Sequence, residues 1–283
     1  MLTKNSFEYI QEKALAMRRD AIEMGFAAGN HGAHFGPALS SMDIIASIFF
    51  GAMHYDPLNP KMPERDRFVL SKGHACLAYY AALVEAGYFA RELMYTFKGD
   101  DSFLPGHPSF HLEYGLEMAS GSLGNGFSVA CGLAKAAKVK KEKHKVFCIL
   151  GDGECDEGLI WEAAMNAVKN QLDNMIAVVD RNSFQLAGRT HEIMKLDLEA
   201  IWKAFGWDVR VVEEGNDVAS LVSALEAFRQ SDNSKPHLII ANTVKGKGIS
   251  FMENNLAWHA APLPKEKYEQ ALAELALLQT GGK

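Results

Sequence analysis

The period of the apolar positions changes several times along the chain, and each stretch of constant period predicts an element. Residues 6 to 28 carry a helical pattern, and residues 41 to 53 a second, more apolar one with Asp43 near its start. Between them lies a Gly/His-rich loop, Gly29-Asn-His-Gly-Ala-His34. Val146-Phe-Cys-Ile-Leu150 and Met175-Ile-Ala-Val-Val179 are continuous apolar runs of strand length, and Gly158 to Lys169, with Leu159, Ala163 and Val168, reads as a helix between them. A strand near Trp207 to Val212, a helix near Val218 to Arg229 and a strand at His237 to Ala241 continue the alternation. From Pro264 to Leu278, Tyr268, Leu272 and Leu275 fall on one face of a terminal helix. Strands alternating with helices predict an α/β fold, a mainly parallel sheet flanked by helices. The absence of a Pro/Gly/Ser-rich linker or an internal repeat leaves residues 1–283 as a single expected domain, with 264–283 its C-terminal helix and tail.

Composition narrows the function classes. At 283 residues and 48% hydrophobic content, the chain can bury a full core. A net charge of −6 gives no general pull toward nucleic acid, and the one basic run, Lys138 to Lys145, contains Glu142 and reads as a solvated face. The four cysteines, Cys76, Cys131, Cys148 and Cys155, form no C-x-x-C pair, and Cys148 sits inside an apolar strand. That usage argues for a reducing compartment without a structural disulfide. The N-terminus lacks an apolar signal core and no apolar run reaches membrane-spanning length, so a cytoplasmic protein without a membrane partner is expected.

The chemistry concentrates where the predicted strands end. Gly151-Asp152-Gly153 follows the first apolar run, and Asp180-Arg181-Asn182 follows the second. This places Asp152 and Asn182 at the carboxyl ends of two parallel strands, where open α/β sheets bind ligands. A carboxylate, a side-chain amide and a main-chain carbonyl suit magnesium, which wants oxygen ligands and keeps few from protein when phosphate is present. The glycines beside Asp152 let main chain approach phosphates, and the helix start that follows favours an anion. Ser120 to Gly126 is also glycine-rich, but its order is G-x-x-G-x-G after a poor strand, which excludes a dinucleotide fingerprint. Of ten histidines, several fall in loops. Metal ligation by them is disfavoured: there is no H-E-x-x-H, and His107 to His111 spans Pro108.

The Gly-Asp-Gly to Asn pattern resembles the thiamin diphosphate motif, and further stretches are similar to transketolase signatures in transketolase order. They are Ala33-His-Phe-Gly-Pro-Ala-Leu-Ser40, Asp66-Arg-Phe-Val-Leu-Ser-Lys-Gly-His74, Leu104-Pro-Gly-His-Pro108, Ser120-Gly-Ser-Leu-Gly-Asn-Gly126 and Trp258-His-Ala-Ala-Pro-Leu263. The resemblance covers about residues 10 to 265 and is to the N-terminal, diphosphate-binding half, in the form divided between two polypeptides. It implies a thiamin diphosphate-binding fold and transfer of a two-carbon ketol unit from a ketose, phosphorylated in the family, to an aldose. It further implies that Asp152, Asn182 and the carbonyl of Phe184 hold Mg2+ (or Ca2+ or Mn2+), and that His74, Gly153, Glu157 and His259 meet the cofactor, with Gly121 and Leu123 as pocket walls. His34, His74, His107 and His259 become the catalytic group: His107 near the donor's C1 hydroxyl, His34 and His259 near its carbonyl and adjacent hydroxyl, His74 closer to the diphosphate. Each is expected to contribute roughly 10²- to 10⁴-fold.

In the family a glutamate activates the cofactor's aminopyrimidine, and it belongs to a pyrimidine-binding domain that would follow Lys283. The resemblance therefore implies a partner polypeptide carrying that domain, in an α2β2 assembly, with Glu157 and Glu162 at the interface. The alternatives are other thiamin diphosphate enzymes, such as a deoxyxylulose-phosphate synthase or a 2-oxoacid dehydrogenase component, and a non-catalytic regulatory subunit. One departure stands out: the first histidine is usually preceded by glycine and followed by Pro-Gly, whereas this chain has Ala33-His34-Phe35-Gly36. Ala33 and Phe35 hint at a sugar other than the common pentose phosphates. Arg181, beside Asp180, is expected to be structural, and His31, His111 and His191 are unassigned.

Overall fold

A computed structural model describes residues 6–280. Its helices and strands follow in the order α1 (Phe7–Ala27), α2 (Phe35–Ser40), α3 (Met42–Ser47), β1 (Arg67–Leu70), α4 (Cys76–Ala86), α5 (Asn125–Lys140), β2 (Val146–Gly151), α6 (Gly158–Lys169), β3 (Met175–Arg181), a small hairpin of β4 (Phe184–Gln185) and β5 (Gly188–Arg189), α7 (Thr190–Ile193), α8 (Leu198–Phe205), β6 (Asp208–Val212), α9 (Val218–Arg229), β7 (His237–Asn242) and α10 (Lys265–Thr280). The main sheet has five strands in the order β1-β2-β3-β7-β6, and every pairing in it is parallel.

That order dictates which helices share a face. The chain moves in one direction across the sheet from β1 to β2, β3 and β6, then steps back from β6 to β7. Right-handed crossovers therefore put α5, α6 and α8 on one face and α9 on the other. The core divides accordingly. Val146, Cys148, Leu150, Met175, Ala177, Val179, Leu238 and Ile240 pack with Phe127, Ile160, Ala164 and Trp202. The alternate positions Phe147, Ile149, Ile176, Val178 and Ile239 pack with α1 to α4 and Phe228. Both faces of the central strands are covered, which is why their sequences are continuous apolar runs and not alternating ones. Burying each Val, Leu, Ile, Phe or Met side chain among them contributes roughly 1.5–3 kcal/mol.

The second predicted helix is corrected in one respect. After α3 the chain widens into a single π turn, Ile48–Ala52. Gly51 lies in that turn, and a Cβ there would stand 3.1 Å from both Ile10 and Val222. Phe35 departs from expectation more usefully: it is fully buried, lies edge-on to Trp258 with centroids 6.0 Å apart, and covers Gly25, where a Cβ would meet its ring at 2.2 Å. Ala33 is buried too, bridged to Ala261. Both residues are therefore packed into the interior beside His34. All four cysteines are buried and free. Among the described residues no helix is long and apolar enough to cross a membrane.

Candidate active site

Four parallel strands deliver their next residues to one cleft of about 500 Å³. β1 delivers Lys72 and His74, β2 delivers Asp152 and Gly153, β3 delivers Asn182 and β7 delivers Lys245, while His34 arrives at the start of α2. His107, Gly121, Leu123, Glu157, Phe184 and His259 complete the lining among the residues predicted from sequence. Every predicted site residue is thus brought together. Glu162 is exposed on α6 and does not line the cleft, and Glu157 stands exposed at its rim.

One half of the cleft is built of oxygens. Asp152 is 6% exposed; its Oδ1 accepts from Gly153 N–H at 2.9 Å and its Oδ2 from Ser183 N–H at 2.7 Å. Burial, then the neighbouring charge of Asp180, push its carboxyl up to about 6. The Nδ2 of Asn182 donates to Asp180 Oδ2 at 3.2 Å and to Ser40 Oγ at 3.3 Å, which leaves Oδ1 as the outward atom of the amide. Phe184 N–H donates to that Oδ1 at 3.1 Å. An aspartate at position 182 would oppose Asp180; the amide supplies an oxygen without a second charge. Gly153 is needed because a Cβ there would stand 2.4 Å from Gln185, so its absence lets the hairpin close over the turn. Asp152 and Asn182 offer oxygens of the kind a hard divalent cation prefers, and the Phe184 carbonyl, which accepts from Lys245 Nζ at 3.3 Å, belongs to a residue lining the same cleft.

Sequence reasoning missed the buried polar residues that hold this half. Asp180 is fully buried and accepts from Ser40 Oγ at 2.6 Å, from the Lys72 ammonium and from the Thr243 hydroxyl. Lys72 also donates to Pro37 O at 2.9 Å, tying β1 to α2. Glu154 accepts from Ser71 Oγ at 2.6 Å, Gly124 N–H at 2.8 Å and Gly151 N–H at 3.0 Å, so one carboxylate joins the ends of β1 and β2 to the start of α5. The available signal was a charged residue directly after an apolar strand; pairing across the fold was not visible.

The other half is built of imidazoles. His34 lies at the centre of the group, with ring centroids 5.6 Å from His74, 5.7 Å from His107 and 5.6 Å from His259, and His74 stacks on His259 at 5.4 Å. Burial, then the neighbouring His107 and Lys98, hold His34 down at about 4. Burial, then Lys245, hold His259 at about 3. His74 is held well below the ordinary imidazole range by burial, then by Lys72, and His107 is lowered by burial, then by Lys98. At neutral pH the four rings are therefore neutral, each with one N–H donor and one lone pair.

Of the residues left open, Arg181 pairs with Asn242, in line with its structural reading, and His111 pairs with Glu113 at 3.3 Å. His191 lines a neighbouring cleft of about 440 Å³ with Arg181 and Thr243. In the basic run, Lys138 pairs with Asp173 at 2.8 Å.

Known proteins resemble this chain over nearly its whole length. The family described as "Transketolase, thiamine diphosphate binding domain" matches residues 11–278. The chain is 43% identical over 271 residues to an apulose-4-phosphate transketolase subunit of Actinobacillus succinogenes, covering 95% of this chain and 97% of that one. It is 45% identical over 243 residues to the 6-deoxy-6-sulfo-D-fructose transketolase subunit SqwG of a Clostridium species, covering 86% and 88%. Among solved structures, the transketolase of Campylobacter jejuni superposes with a TM-score of 0.88 at 31% identity, covering 95% of this chain and 43% of that one. The chain thus spans less than half of that longer enzyme and most of the length of the proteins named as subunits. Near-complete coverage by the family, identity above 40% to two of its subunits and a superposable fold establish that this chain belongs to the transketolase family, as a counterpart of its thiamine diphosphate-binding part.

Proposed function

We propose that the chain is the diphosphate-binding subunit of a transketolase made from two polypeptides, moving a two-carbon ketol unit from a ketose to an aldose. The observation that carries this reading is the junction, in one cleft, of the Asp152, Asn182 and Phe184 oxygen set with four neutral histidines. The oxygen set would hold Mg2+, or Ca2+ or Mn2+, against the diphosphate, with Gly153 giving the main chain room and Gly121 and Leu123 as walls. Bound thiamin diphosphate supplies a nucleophilic carbon that can add to a ketose carbonyl and stabilise the charge left when the adjacent C–C bond breaks. The protein's part is to orient the sugar and to move protons. His107, the most exposed of the four, would meet the terminal hydroxyl; His34 and His259 the carbonyl and its neighbouring hydroxyl; His74 the diphosphate side. Because the rings are neutral, the group can donate to an oxyanion and accept a hydroxyl proton without first losing one to solvent.

The partner of this reading is a second polypeptide with a pyrimidine-binding domain and the activating glutamate, in an α2β2 assembly, with Glu157 and Glu162 facing it. Support comes from relatives that are themselves named as subunits. The sugar phosphate and the sulfo sugar in their names favour a ketose with an anionic end for this chain as well. The test is to isolate the chain from its native cell with whatever accompanies it and assay the material with thiamin diphosphate and Mg2+. Ketol transfer that needs the second polypeptide is the expected result. Transfer by the chain alone would overturn the divided arrangement, and carbon dioxide release from pyruvate would overturn the reaction in favour of a synthase.

A further inference from the structure

Lys245 is 1% exposed, and nothing in its surroundings matches its charge directly. Its Nζ lies 3.0 Å from Nδ1 of His259 and 3.3 Å from the carbonyl oxygen of Phe184. Among the described residues no carboxylate lies within ion-pair distance of it. An ammonium offers donors and no acceptor, so the contact with His259 is a hydrogen bond only if Nδ1 presents its lone pair. The ring proton then resides on Nε2.

The donor is also fixed in place. Gly246 N–H donates to Gly36 O at 3.1 Å, and Asn254 N–H donates to Lys245 O at 2.8 Å, which holds the backbone on both sides of the lysine. Its stem runs past Gly36, where a Cβ would stand 3.1 Å from Cε, 3.2 Å from Cγ and 3.1 Å from the carbonyl oxygen of Trp258. The glycine in the first histidine signature therefore makes room for a side chain that acts on the last one. His259 itself follows the turn Leu256–Trp258, with its N–H on Leu256 O at 2.9 Å, and its ring stacks on His74.

We propose that Lys245 is a positioning residue that fixes His259 as its Nε2–H tautomer, so that His259 acts in the cleft as a hydrogen-bond donor to a developing oxyanion and not as a base. This role rests on the ketol-transfer reading; the tautomer itself does not. With Nδ1 occupied and Nε2 protonated, the ring has no free lone pair to take a proton. Proton acceptance falls to His34, His74 and His107, whose lone pairs no lysine occupies in this way. The arrangement divides labour among four chemically identical side chains by a single buried contact, as a second group that orients a histidine commonly does.

The test is the ring-nitrogen spectrum of the full chain labelled with 15N-histidine, with the His259 signals identified by their loss in His259→Gln. A lone-pair-type Nδ1 and a protonated Nε2 are expected in the native chain, and a protonated Nδ1 overturns the proposal whatever the variants do. In Lys245→Met the Nδ1 signal is expected to shift toward a tautomer-averaged value, with the native value restored in Lys245→Arg; an unshifted signal in folded Lys245→Met also overturns it. Should Lys245→Met fail to fold, Lys245→Gln, which is shorter and uncharged, is read in the same way. None of these readings needs turnover, so a failed ketol-transfer assay and a failed tautomer assignment remain distinguishable. In an active complex, Lys245→Met is expected to lower kcat about tenfold or more with KM changed far less, the pattern of a lost oxyanion donor.

Discussion

Lys72 and Lys245 are equally buried and both line the cleft, yet Lys72 ends on the carboxylate of Asp180 and Lys245 on two neutral lone pairs. Burial, then the repulsion of Lys72, bring Lys245 down to about 8, opposed by the attraction of Asp152 and Asp180. The oxygen half of the cleft is therefore held by a charge pair made within the chain, whereas the imidazole half is held by a cation whose counter-charge lies across the cleft. The difference separates scaffold from chemistry. Removing one partner of a buried pair strands the other, while removing a lone buried charge relieves a desolvation cost.

The largest expected effect tests the paired half. Lys72→Met leaves Asp180 without its ammonium and is expected to cost about 3–5 kcal/mol of unfolding free energy, measured by denaturant titration of the cofactor-free chain. A loss below about 1 kcal/mol would show that Ser40, Thr243 and Asn182 suffice to hold the carboxylate. Next comes the oxygen set itself: Asp152→Asn removes the charge and keeps an acceptor for only one of the Gly153 and Ser183 N–H groups. Its affinity for Mg2+ with thiamin diphosphate, read by calorimetry, should fall about 10- to 100-fold. Unchanged affinity would remove Asp152 from the cation site. Lys245→Met is expected to change stability by less than about 1 kcal/mol in either direction, in contrast to Lys72→Met, because no carboxylate is orphaned; equal losses for the two lysines would end the comparison.

The smallest effect is a slope. His34 is held at about 4 in the folded chain against an ordinary 6.5. Its folded value is depressed, so the stability it contributes is present above 6.5 and is lost as pH falls toward 4, where the unfolded chain takes up a proton that the folded chain refuses. Between those limits the melting temperature of the native chain should fall more steeply with acidification than that of His34→Gln. Parallel curves would show that the ring is more solvated than its surroundings indicate.

Much of the fold and the cleft is legible in the sequence, for reasons particular residues make plain. β2, β3 and β7 are buried on both faces, so their sequences are unbroken apolar runs that announce themselves. Asp152 and Asn182 follow those runs directly, and their residue types carry the oxygen chemistry. β1 stays hidden because Arg67–Leu70 is too short to show a period. Asp180, Lys72 and Glu154 escape for a different reason: each owes its role to partners far away in sequence, Ser40 and Lys72 for Asp180, Ser71 and Gly124 for Glu154. The place of Phe35 escapes as well, since only the fold reveals that its ring turns toward Gly25.

The Phe35 ring over Gly25 has a consequence for how this sequence can change over time. Any side chain gained at position 25 would collide with the ring, and any smaller residue gained at position 35 would leave a void against α1. Neither step is open alone, so the two positions should drift as a linked pair, and a lineage that enters this arrangement leaves it only by a double change.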